Sequence, residues 1–294
     1  MSEMVGTVAT LSRFTVKSMQ GERLTASELT EGGLAGDRAY ALVDTETGKV
    51  LSGKTPRLGT RLLGCRAAFV DNPGSGDGTS PVRITLADGT TVASDDRDVD
   101  EVLSGFFGRE VTLQRSAPDD FTTDQHHPDI EGLDPEGHRD TVTASKLGSA
   151  LFAQMGIPSP LPAGSFLDAF PVSVLTTSTL AQLEALRPES RFDQRRFRMN
   201  VVVDTPETGF VENDWTGRGL QIGDAVRLTV FLHDPRCVMT TRAQEDLPED
   251  TEVLRTLVRH NRLDIGGGLY PCAGVYAVVE AGGTIHPADP VSLL

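Results

Sequence analysis

Short apolar runs rich in β-branched and aliphatic residues dominate the sequence, and Gly, Asp and Asn separate them. Runs of this length and composition are typical of β-strands. Asp88-Gly89 and Gly282-Gly283 each lie between two such runs, which favours a hairpin turn at both places. Strands are therefore predicted for residues 6–16, 39–44, 82–93, 200–204, 226–232 and 274–285.

Helical patterns are fewer than strand patterns. Residues 98–107 have an acidic start and apolar positions at helical spacing, and residues 251–262 end with basic side chains. Residues 178–186 carry a leucine stripe, and Ser178 or Thr177 would cap the start of that helix. The predicted fold class is therefore α+β and β-rich.

The chain has 294 residues, which is enough for one large domain or two coupled ones. Composition divides it into a first domain at 1–115, an irregular connecting region at 116–165 and a second domain at 166–294. The connecting region has many Pro, Gly, Asp and His, and a loop this long is either functional or mobile. A glycine-rich, acidic loop at 71–80 lacks the strand–turn–helix context of a phosphate-binding loop.

The charge balance limits the possible partners. Lys and Arg number 27 against 42 Asp and Glu, which gives a net charge of −15. Nucleic acid would be repelled over most of such a surface, so no nucleic-acid partner is expected and any anionic ligand needs a local basic pocket. No apolar run approaches the roughly 18 residues of a membrane span, and the start of the chain lacks signal-peptide features. No membrane partner is expected either.

Three cysteines form an odd set without a C-x-x-C pair, which argues against a disulfide framework, a zinc knuckle or an iron–sulfur cluster. A cytoplasmic location is therefore expected. Cys65 lies in an apolar run and is expected to be buried, and Cys272 is expected in the core. Cys237 directly follows Arg236, and a neighbouring guanidinium favours the thiolate, which is both a nucleophile and a ligand for soft metals.

Basic residues collect near the ends of predicted strands. Lys17 and Ser18 are followed by Arg38, residues 195–200 (RRFRMN) enter a strand, and Arg236 leaves another. Arg offers a planar fork that suits phosphate or carboxylate, and Lys offers a point charge. Their convergence on one pocket would give an acidic protein a site for an anion.

The ordered segments resemble a known family, the MOSC domain, which is similar to the C-terminal part of molybdenum cofactor sulfurases. The second half carries the resemblance through residues 170–180, 195–204 (RRFRMNVVVD), 209–215, 220–224, 235–237 (PRC) and 274–291. The first half resembles the N-terminal β-barrel that precedes MOSC domains, through residues 14–22, 33–44 (GLAGDRAYALVD) and 47–59. The resemblance implies a MOSC-type β-barrel preceded by, and packed against, a smaller N-terminal β-barrel domain.

The resemblance also implies binding of the molybdenum cofactor, a pterin dithiolene that carries an anionic phosphate. In the branch similar to mitochondrial amidoxime-reducing component, the cysteine of the Arg-Cys pair ligates molybdenum, which would make Cys237 the metal ligand and the catalytic residue. The cofactor-binding residues implied by the resemblance are Lys17, Ser18, Arg38, Thr176, Arg198, Asn200, Arg236 and Thr240.

The chain departs from the family pattern at several places. Met199 replaces the proline usual between Arg and Asn, and Pro287-Ala288-Asp289 stands where a glycine usually precedes the aspartate. Asn213-Asp214-Trp215 keeps the acidic-Trp pattern only in part. The sequence ends at Leu294 without the cysteine-rich ferredoxin domain of some relatives, so a separate electron-transfer protein is the expected donor.

The preferred function is a molybdenum-cofactor oxidoreductase that reduces small N-hydroxylated or related N–O compounds. The alternative is a sulfur-carrier or cofactor-handling protein with a persulfide on Cys237. A barrel that has lost cofactor binding is disfavoured by the retained basic residues. Pyridoxal phosphate is disfavoured because no lysine has a convincing Schiff-base setting. His126, His127 and His138 could line the substrate entrance, but their spacing does not predict a metal site.

Overall fold

The computed structural model describes residues 2–73 and 80–294, so residues 74–79 of the predicted 71–80 loop lie outside the described part of the chain. The strands are β1 (Glu3–Arg13), β2 (Glu22–Leu24), β3 (Ser27–Thr30), β4 (Gly33–Leu34), β5 (Ala41–Asp44), β6 (Arg66–Phe69), β7 (Val82–Thr85), β8 (Thr91–Ala93), β9 (Val111–Gln114), β10 (Thr122–His127), β11 (Thr141–Lys146), β12 (Val172–Thr176), β13 (Val201–Asp204), β14 (Gly219–Ile222), β15 (Val226–Pro235), β16 (Arg262–Ile265), β17 (Gly268–Ala281), β18 (Gly283–Ile285) and β19 (Pro290–Leu293). The helices are α1 (Leu58–Leu63), α2 (Val99–Phe107), α3 (Gly148–Met155), α4 (Thr177–Leu186) and α5 (Glu252–His260), with 3₁₀ turns at Gln194–Arg196, Val211–Trp215 and Val238–Thr241.

Seven strands of the described residues form a closed barrel. They follow one another in the order β12, β13, β1, β19, β14, β15 and β17, and β17 pairs back with β12. The inward side chains are aliphatic, with Val174, Val203, Leu228 and Val275 fully buried. Burying one such side chain stabilises the fold by about 1.5–3 kcal/mol. The predicted β-rich α+β class with a barrel in the second half is confirmed.

Strand β1 belongs to this barrel although the sequence places it in the first predicted domain. It pairs antiparallel with β13 and with β19, so that Val8 faces Val203 and Met4 faces Ser292. Because β13 and β19 lie about 190 or more residues after β1, the local sequence around β1 does not predict these pairings. The 1–115 boundary therefore does not follow the sheet, and the three-part division stays a prediction.

The first part of the chain builds smaller sheets around its own core. Strands β6, β7 and β8 form one sheet and β5 pairs with β9. Their buried side chains include Val16, Leu42, Leu62, Ile84 and Leu103. The Asp88-Gly89 hairpin is confirmed, because β7 and β8 pair antiparallel around it. The predicted helices at 98–107, 178–186 and 251–262 are confirmed as α2, α4 and α5.

The hairpin predicted at Gly282-Gly283 is wrong. Strand β18 does not fold back on β17 but pairs with β3 in the first part of the chain. A side chain at Gly282 would place its Cβ 2.5 Å from the backbone oxygen of Leu29. Glycine is therefore needed for close backbone approach between the two parts, not for a tight turn.

The connecting region is more regular than its composition indicates. Strands β10 and β11 pair as an antiparallel hairpin, and helix α3 follows. The hairpin is fixed to the first part of the chain, because Val50 N donates to Thr122 O and His126 N donates to Lys54 O, both at 2.9 Å. No helix among the described residues is both long and apolar enough to cross a membrane.

Candidate functional site

A cavity of about 290 Å³ lies between the barrel and the first part of the chain. Its wall contains all the residues predicted for the cofactor and the metal except Thr176: Lys17, Ser18, Arg38, Arg198, Asn200, Arg236, Cys237 and Thr240. These residues lie near the ends of β1, β13 and β15 and in the turn before β5. The fold therefore brings together basic residues that are far apart in the sequence.

Three residues of the cavity wall have a left-handed backbone although none is glycine. The φ angle is 67° at Ser18, 46° at Arg38 and 56° at Arg198. Such a conformation costs about 1–3 kcal/mol per residue, and it persists only where surrounding contacts enforce it. Strained non-glycine residues concentrate at functional sites, so their meeting at one cavity marks this cavity as the candidate site.

Two buried lysines share one carboxylate at the cavity. Lys17 Nζ binds Asp168 Oδ1 and donates to Phe166 O at 2.9 Å, and Lys54 Nζ lies 2.8 Å from Asp168 Oδ2. Burial lowers the pKa of Lys17 to about 8 against the opposing effect of Asp168. Burial acts in the same direction on Lys54, but the charge of Asp168 raises the pKa of Lys54 overall. Although burial opposes it, the two lysines hold the pKa of Asp168 well below its usual range.

Two arginines face one aromatic ring on the next part of the wall. The guanidinium carbons of Arg38 and Arg198 lie 4.7 and 4.3 Å from the centroid of the Phe14 ring. Asp37 pairs with Arg38 and also accepts a 2.9 Å hydrogen bond from Asn200 Nδ2. Burial, and then the charge of Arg38, lowers the pKa of Arg198 to about 9. The carboxylates of Asp37 and Asp168 offset only part of the charge on this side of the wall, which leaves positive charge for an anionic ligand.

Arg236 lies beside the cysteine and is held by several groups. It pairs with Asp234, donates to Phe197 O, and places Nη1 3.5 Å from Met199 Sδ. Burial lowers the pKa of Arg236, but the charge of Asp234 raises it by more, so the pKa lies above its usual value. Burial raises the pKa of Asp234 to about 6, against the effect of Arg236. Arg236 Nε is buried and has no hydrogen-bond partner within the described residues.

Cys237 differs from the other two cysteines in its exposure. It is half-buried on the cavity wall, whereas Cys65 and Cys272 are buried as expected. Burial raises the pKa of Cys65 to about 11 and that of Cys272 to about 12, so both thiols stay protonated. Thr240 Oγ1 donates to the Cys237 carbonyl oxygen at 3.0 Å and holds the turn in which the thiol is presented.

Thr176 does not belong to the cavity wall. Its side chain is fully buried; Oγ1 donates to Glu212 Oε2 at 2.6 Å and accepts from Thr179 N at 3.2 Å. Thr176 is thus the N-cap of α4, a role that the sequence assigned to Thr177 or Ser178. Its hydroxyl binds the helix cap and a buried glutamate and does not line the cavity wall, so the predicted cofactor-binding role of Thr176 does not fit its position.

Sequence reasoning missed Lys54 and Asp168. Lys54 lies in the 47–59 segment that carries the resemblance. A hydroxyl residue, Thr55, follows it, as Ser18 follows Lys17, and such residues favour turns. Asp168 is a lone acid in the apolar stretch 165–171, and an acid among apolar residues needs a charged partner when the chain buries it. Both signals are present in the sequence, but only the fold pairs them.

The site concentrates positive charge on a protein whose net charge is −15. Its cations are Lys17, Lys54, Arg38, Arg198 and Arg236, and the acids paired with them are Asp37, Asp168 and Asp234. Charge-assisted hydrogen bonds from such donors can hold an anionic group. A half-buried thiol on the same wall can ligate a soft metal.

Two known families match separate parts of the chain. Residues 5–108 match the MOSC N-terminal beta barrel domain, and residues 162–292 match the MOSC domain. The chain is 27% identical over 322 residues to mitochondrial amidoxime-reducing component 1 of Homo sapiens, covering 99% of this chain and 84% of that protein. It is 25% identical over 311 residues to the Mus musculus component 1, covering 99% and 83%.

A third relative matches over a shorter stretch. Mitochondrial amidoxime reducing component 2 of Bos taurus is 33% identical over 132 residues, which is 43% of this chain and 38% of that protein. The two family matches follow one another along the chain and agree with the two β-rich parts of the fold. The chain is a MOSC domain protein with an N-terminal MOSC β-barrel domain.

Proposed function

We propose that this chain binds the molybdenum cofactor in the cavity, with Cys237 as the metal ligand, and reduces N-hydroxylated or related N–O compounds. The observation that carries the proposal is the half-buried Cys237 thiol on a wall lined by two buried lysines, the buried Arg198 and two mostly buried arginines. Similarity to amidoxime-reducing components over 99% of the chain supports the substrate class.

The donor set on the wall fits this cofactor. A pterin phosphate is anionic, and the cavity supplies more cations than carboxylates. The buried Arg236 Nε, without a partner among the described residues, is a donor that a ligand can satisfy. In this proposal Cys237 holds the metal, and the pterin and its phosphate are held by Lys17, Ser18, Arg38, Lys54, Arg198, Asn200, Arg236 and Thr240.

When bound, the molybdenum cofactor supplies two-electron chemistry by which an N-hydroxylated compound, two electrons and two protons yield the N–H compound and water. The chain itself binds, orients and supplies charge. Burial raises the pKa of Asp234 to about 6, so this carboxyl group can hold a proton in the cavity close to neutral pH. A wall of fixed cations needs little rearrangement as negative charge builds up on the departing oxygen.

The alternative function is that of a sulfur carrier with a persulfide on Cys237. The same half-buried thiol favours it, since a persulfide requires an accessible sulfur beside stabilising cations. The two functions differ in what Cys237 carries: a metal in the first case and labile sulfur in the second. The separate electron-transfer partner and the cytoplasmic location expected from the sequence stay predictions.

The test is the reduction of an amidoxime by the full chain, purified from a host that makes the cofactor, with reduced methyl viologen as electron donor. The wild type and a Cys65→Ala variant should both reduce it, because Cys65 is buried away from the cavity. Cys237→Ala should not. Sulfur on Cys237 that a thiol reductant releases as sulfide, without amidoxime reduction, would support the sulfur carrier and contradict the reductase.

A further inference from the structure

The connecting region holds a cluster of metal-ligating groups that the proposed function does not use. His127, Asp134 and His138 each offer one ligand atom, and these atoms all lie within 4.8 Å of one another. All three residues lie in the stretch between residues 108 and 162, which neither family match covers. The cluster therefore belongs to the part of this chain that distinguishes it from the matched domains.

The separations within the cluster suit a single small cation. His127 Nδ1 lies 3.0 Å from Asp134 Oδ2, and His138 Nδ1 lies 3.5 Å from Asp134 Oδ1. Ligand atoms at about 2.0–2.2 Å from one zinc ion in tetrahedral array lie at similar separations. Two imidazole nitrogens and a carboxylate are a ligand set that zinc accepts.

His127 presents Nδ1 to the cluster and Nε2 to Thr143. Nδ1 lies 3.0 Å from Asp134 Oδ2, and Thr143 Oγ1 lies 2.9 Å from Nε2. A cation bound at Nδ1 would leave the ring proton on Nε2, where Thr143 Oγ1 would accept it. Histidine ligands of metals generally donate the other ring N–H to such an acceptor, which sets the tautomer and the ring orientation. Thr143 thus occupies the supporting position that a metal site requires.

The strand geometry of β10 decides which of the two adjacent histidines joins the cluster. His126 and His127 are consecutive on β10, so their side chains point to opposite sides of the hairpin. His126 turns toward Arg242, whose Nη2 lies 3.3 Å from its Nδ1. His127 turns toward the following loop, where Asp134 supplies the carboxylate. The adjacent histidines are therefore not a pair of ligands, and the third ligand is an aspartate.

We propose that His127, Asp134 and His138 bind one Zn²⁺ ion, or a divalent transition ion of the same ligand preference. The ion would tie β10 to the loop that carries Leu133 and Asp134, both on the cavity wall. It would thus fix one side of the cavity by a site separate from Cys237. This inference does not depend on the proposed function, because it uses none of the residues assigned to the cofactor.

The test is titration of the metal-free, tag-free full chain with Zn²⁺ by calorimetry, together with metal analysis after dialysis. The wild type should bind one equivalent. Asp134→Asn and His138→Gln should each weaken binding by at least about 10-fold, because even supporting residues of zinc sites contribute about 10–100-fold. Thr143→Val, which keeps all three ligands, should weaken it by about 10-fold for the same reason.

Two control variants separate this site from other zinc-binding groups. His286→Gln removes an exposed histidine that also lies near an aspartate, Asp289 at 3.7 Å, and should leave binding unchanged. Cys237→Ala should leave it unchanged as well. Zinc binding that is lost in Cys237→Ala but kept in His138→Gln would overturn the proposal, and so would a folded wild type that binds no zinc.

A spectroscopic measurement distinguishes the ligands directly. Co²⁺ added to the metal-free chain should give ligand-field absorption without a thiolate charge-transfer band, since the proposed ligands are nitrogen and oxygen. A thiolate band would place the metal at a cysteine and contradict the assignment. Circular dichroism of each variant shows whether lost binding reflects a lost fold, and Thr143→Val remains informative if a ligand variant fails to fold.

Discussion

Lys54 Nζ lies 2.8 Å from Asp168 Oδ2, and the other oxygen of the same carboxylate binds Lys17. One aspartate of the second half thus joins two lysines of the first. Lys17 and Lys54 are both buried, so neither could stay charged at this place without a nearby anion. The Lys17–Asp168–Lys54 group is therefore a structural link between the two parts and also part of the cationic wall of the cavity.

Asp168→Asn should destabilise the protein. Hydrogen bonds to charged groups contribute about 1.5–3 kcal/mol to the free energy of unfolding, and the substitution also leaves two lysines without their counter-charge. Denaturant unfolding at pH 7 measures this loss. The matched control is Asp120→Asn, whose partner Lys146 lies 2.9 Å away on the surface, and which should leave the unfolding free energy nearly unchanged because an exposed ion pair is screened by solvent.

The effect of Asp168→Asn should depend on pH with a defined sign. The pKa of Asp168 is lowered in the folded state, so its contribution is fully present above its unfolded pKa of about 3.9 and is lost as the pH falls toward the lower folded value. The difference in unfolding free energy between wild type and variant should shrink below about pH 4. A difference that stays constant from pH 7 to pH 3 would contradict the charge pairing.

Lys17 should make anion binding sensitive to alkaline pH. Its pKa is lowered to about 8, so the ammonium is charged below pH 8 and loses its charge as the pH rises through that value. Sulfate keeps its charge over this range and is the probe. Its affinity for the cofactor-free chain should fall by about 10-fold between pH 7 and pH 9, since one charge-assisted contact is lost. In Lys17→Arg the fall should be smaller, because the guanidinium at position 17 keeps its charge near pH 8 and only the titration of Arg198, whose pKa is about 9, remains.

The sequence predicts the site residues that lie in local motifs, but not those that depend on a contact between the two halves of the chain. Arg198, Arg236 and Cys237 were found because they lie at strand ends in recognisable motifs. Lys54 and Asp168 were missed because their pairing joins the two halves, and a buried pair shows only in three dimensions.

The fold shows the same division between local and distant signals. The hairpin at Asp88-Gly89 follows from its own residues and was predicted correctly. The pairing of β1 with β13 and of β18 with β3 joins strands from opposite ends of the chain, and nothing local encodes it.

Phe14→Leu should lower occupancy by the proposed cofactor. The ring of Phe14 lies against both Arg38 and Arg198, and each cation–ring contact contributes about 0.5–2 kcal/mol to holding a guanidinium in place. The molybdenum content of purified protein measures the effect. Phe69→Leu, which removes a ring 4.9 Å from the Arg13 guanidinium instead, should leave molybdenum content unchanged.

Gly274→Ala should destabilise the barrel next to the site. A Cβ at Gly274 would lie 2.6 Å from Val174 O and 2.3 Å from Met199 Cε, and φ is +84°. The left-handed backbone costs an alanine about 1–2 kcal/mol, and overpacking adds about 1–3 kcal/mol.

Gly217→Ala is the matched control for Gly274→Ala. Its φ is +83° and nothing lies within 4 Å of the added Cβ, so it isolates the backbone cost from the clash. Gly274→Ala should therefore lose more unfolding free energy than Gly217→Ala. Equal losses in the two variants would contradict this, because they would mean that the Cβ at position 274 meets Met199 and Val174 without any cost in unfolding free energy.

The most direct measurement is the molybdenum and pterin content per chain of protein made in a cofactor-competent host. The wild type and Cys65→Ala should each carry molybdenum in stoichiometric amount, since Cys65 lies buried outside the cavity. Cys237→Ala should lose the metal while its circular dichroism stays that of a folded chain. Stoichiometric molybdenum in Cys237→Ala, or none in the wild type, would contradict the assignment of Cys237 as the metal ligand.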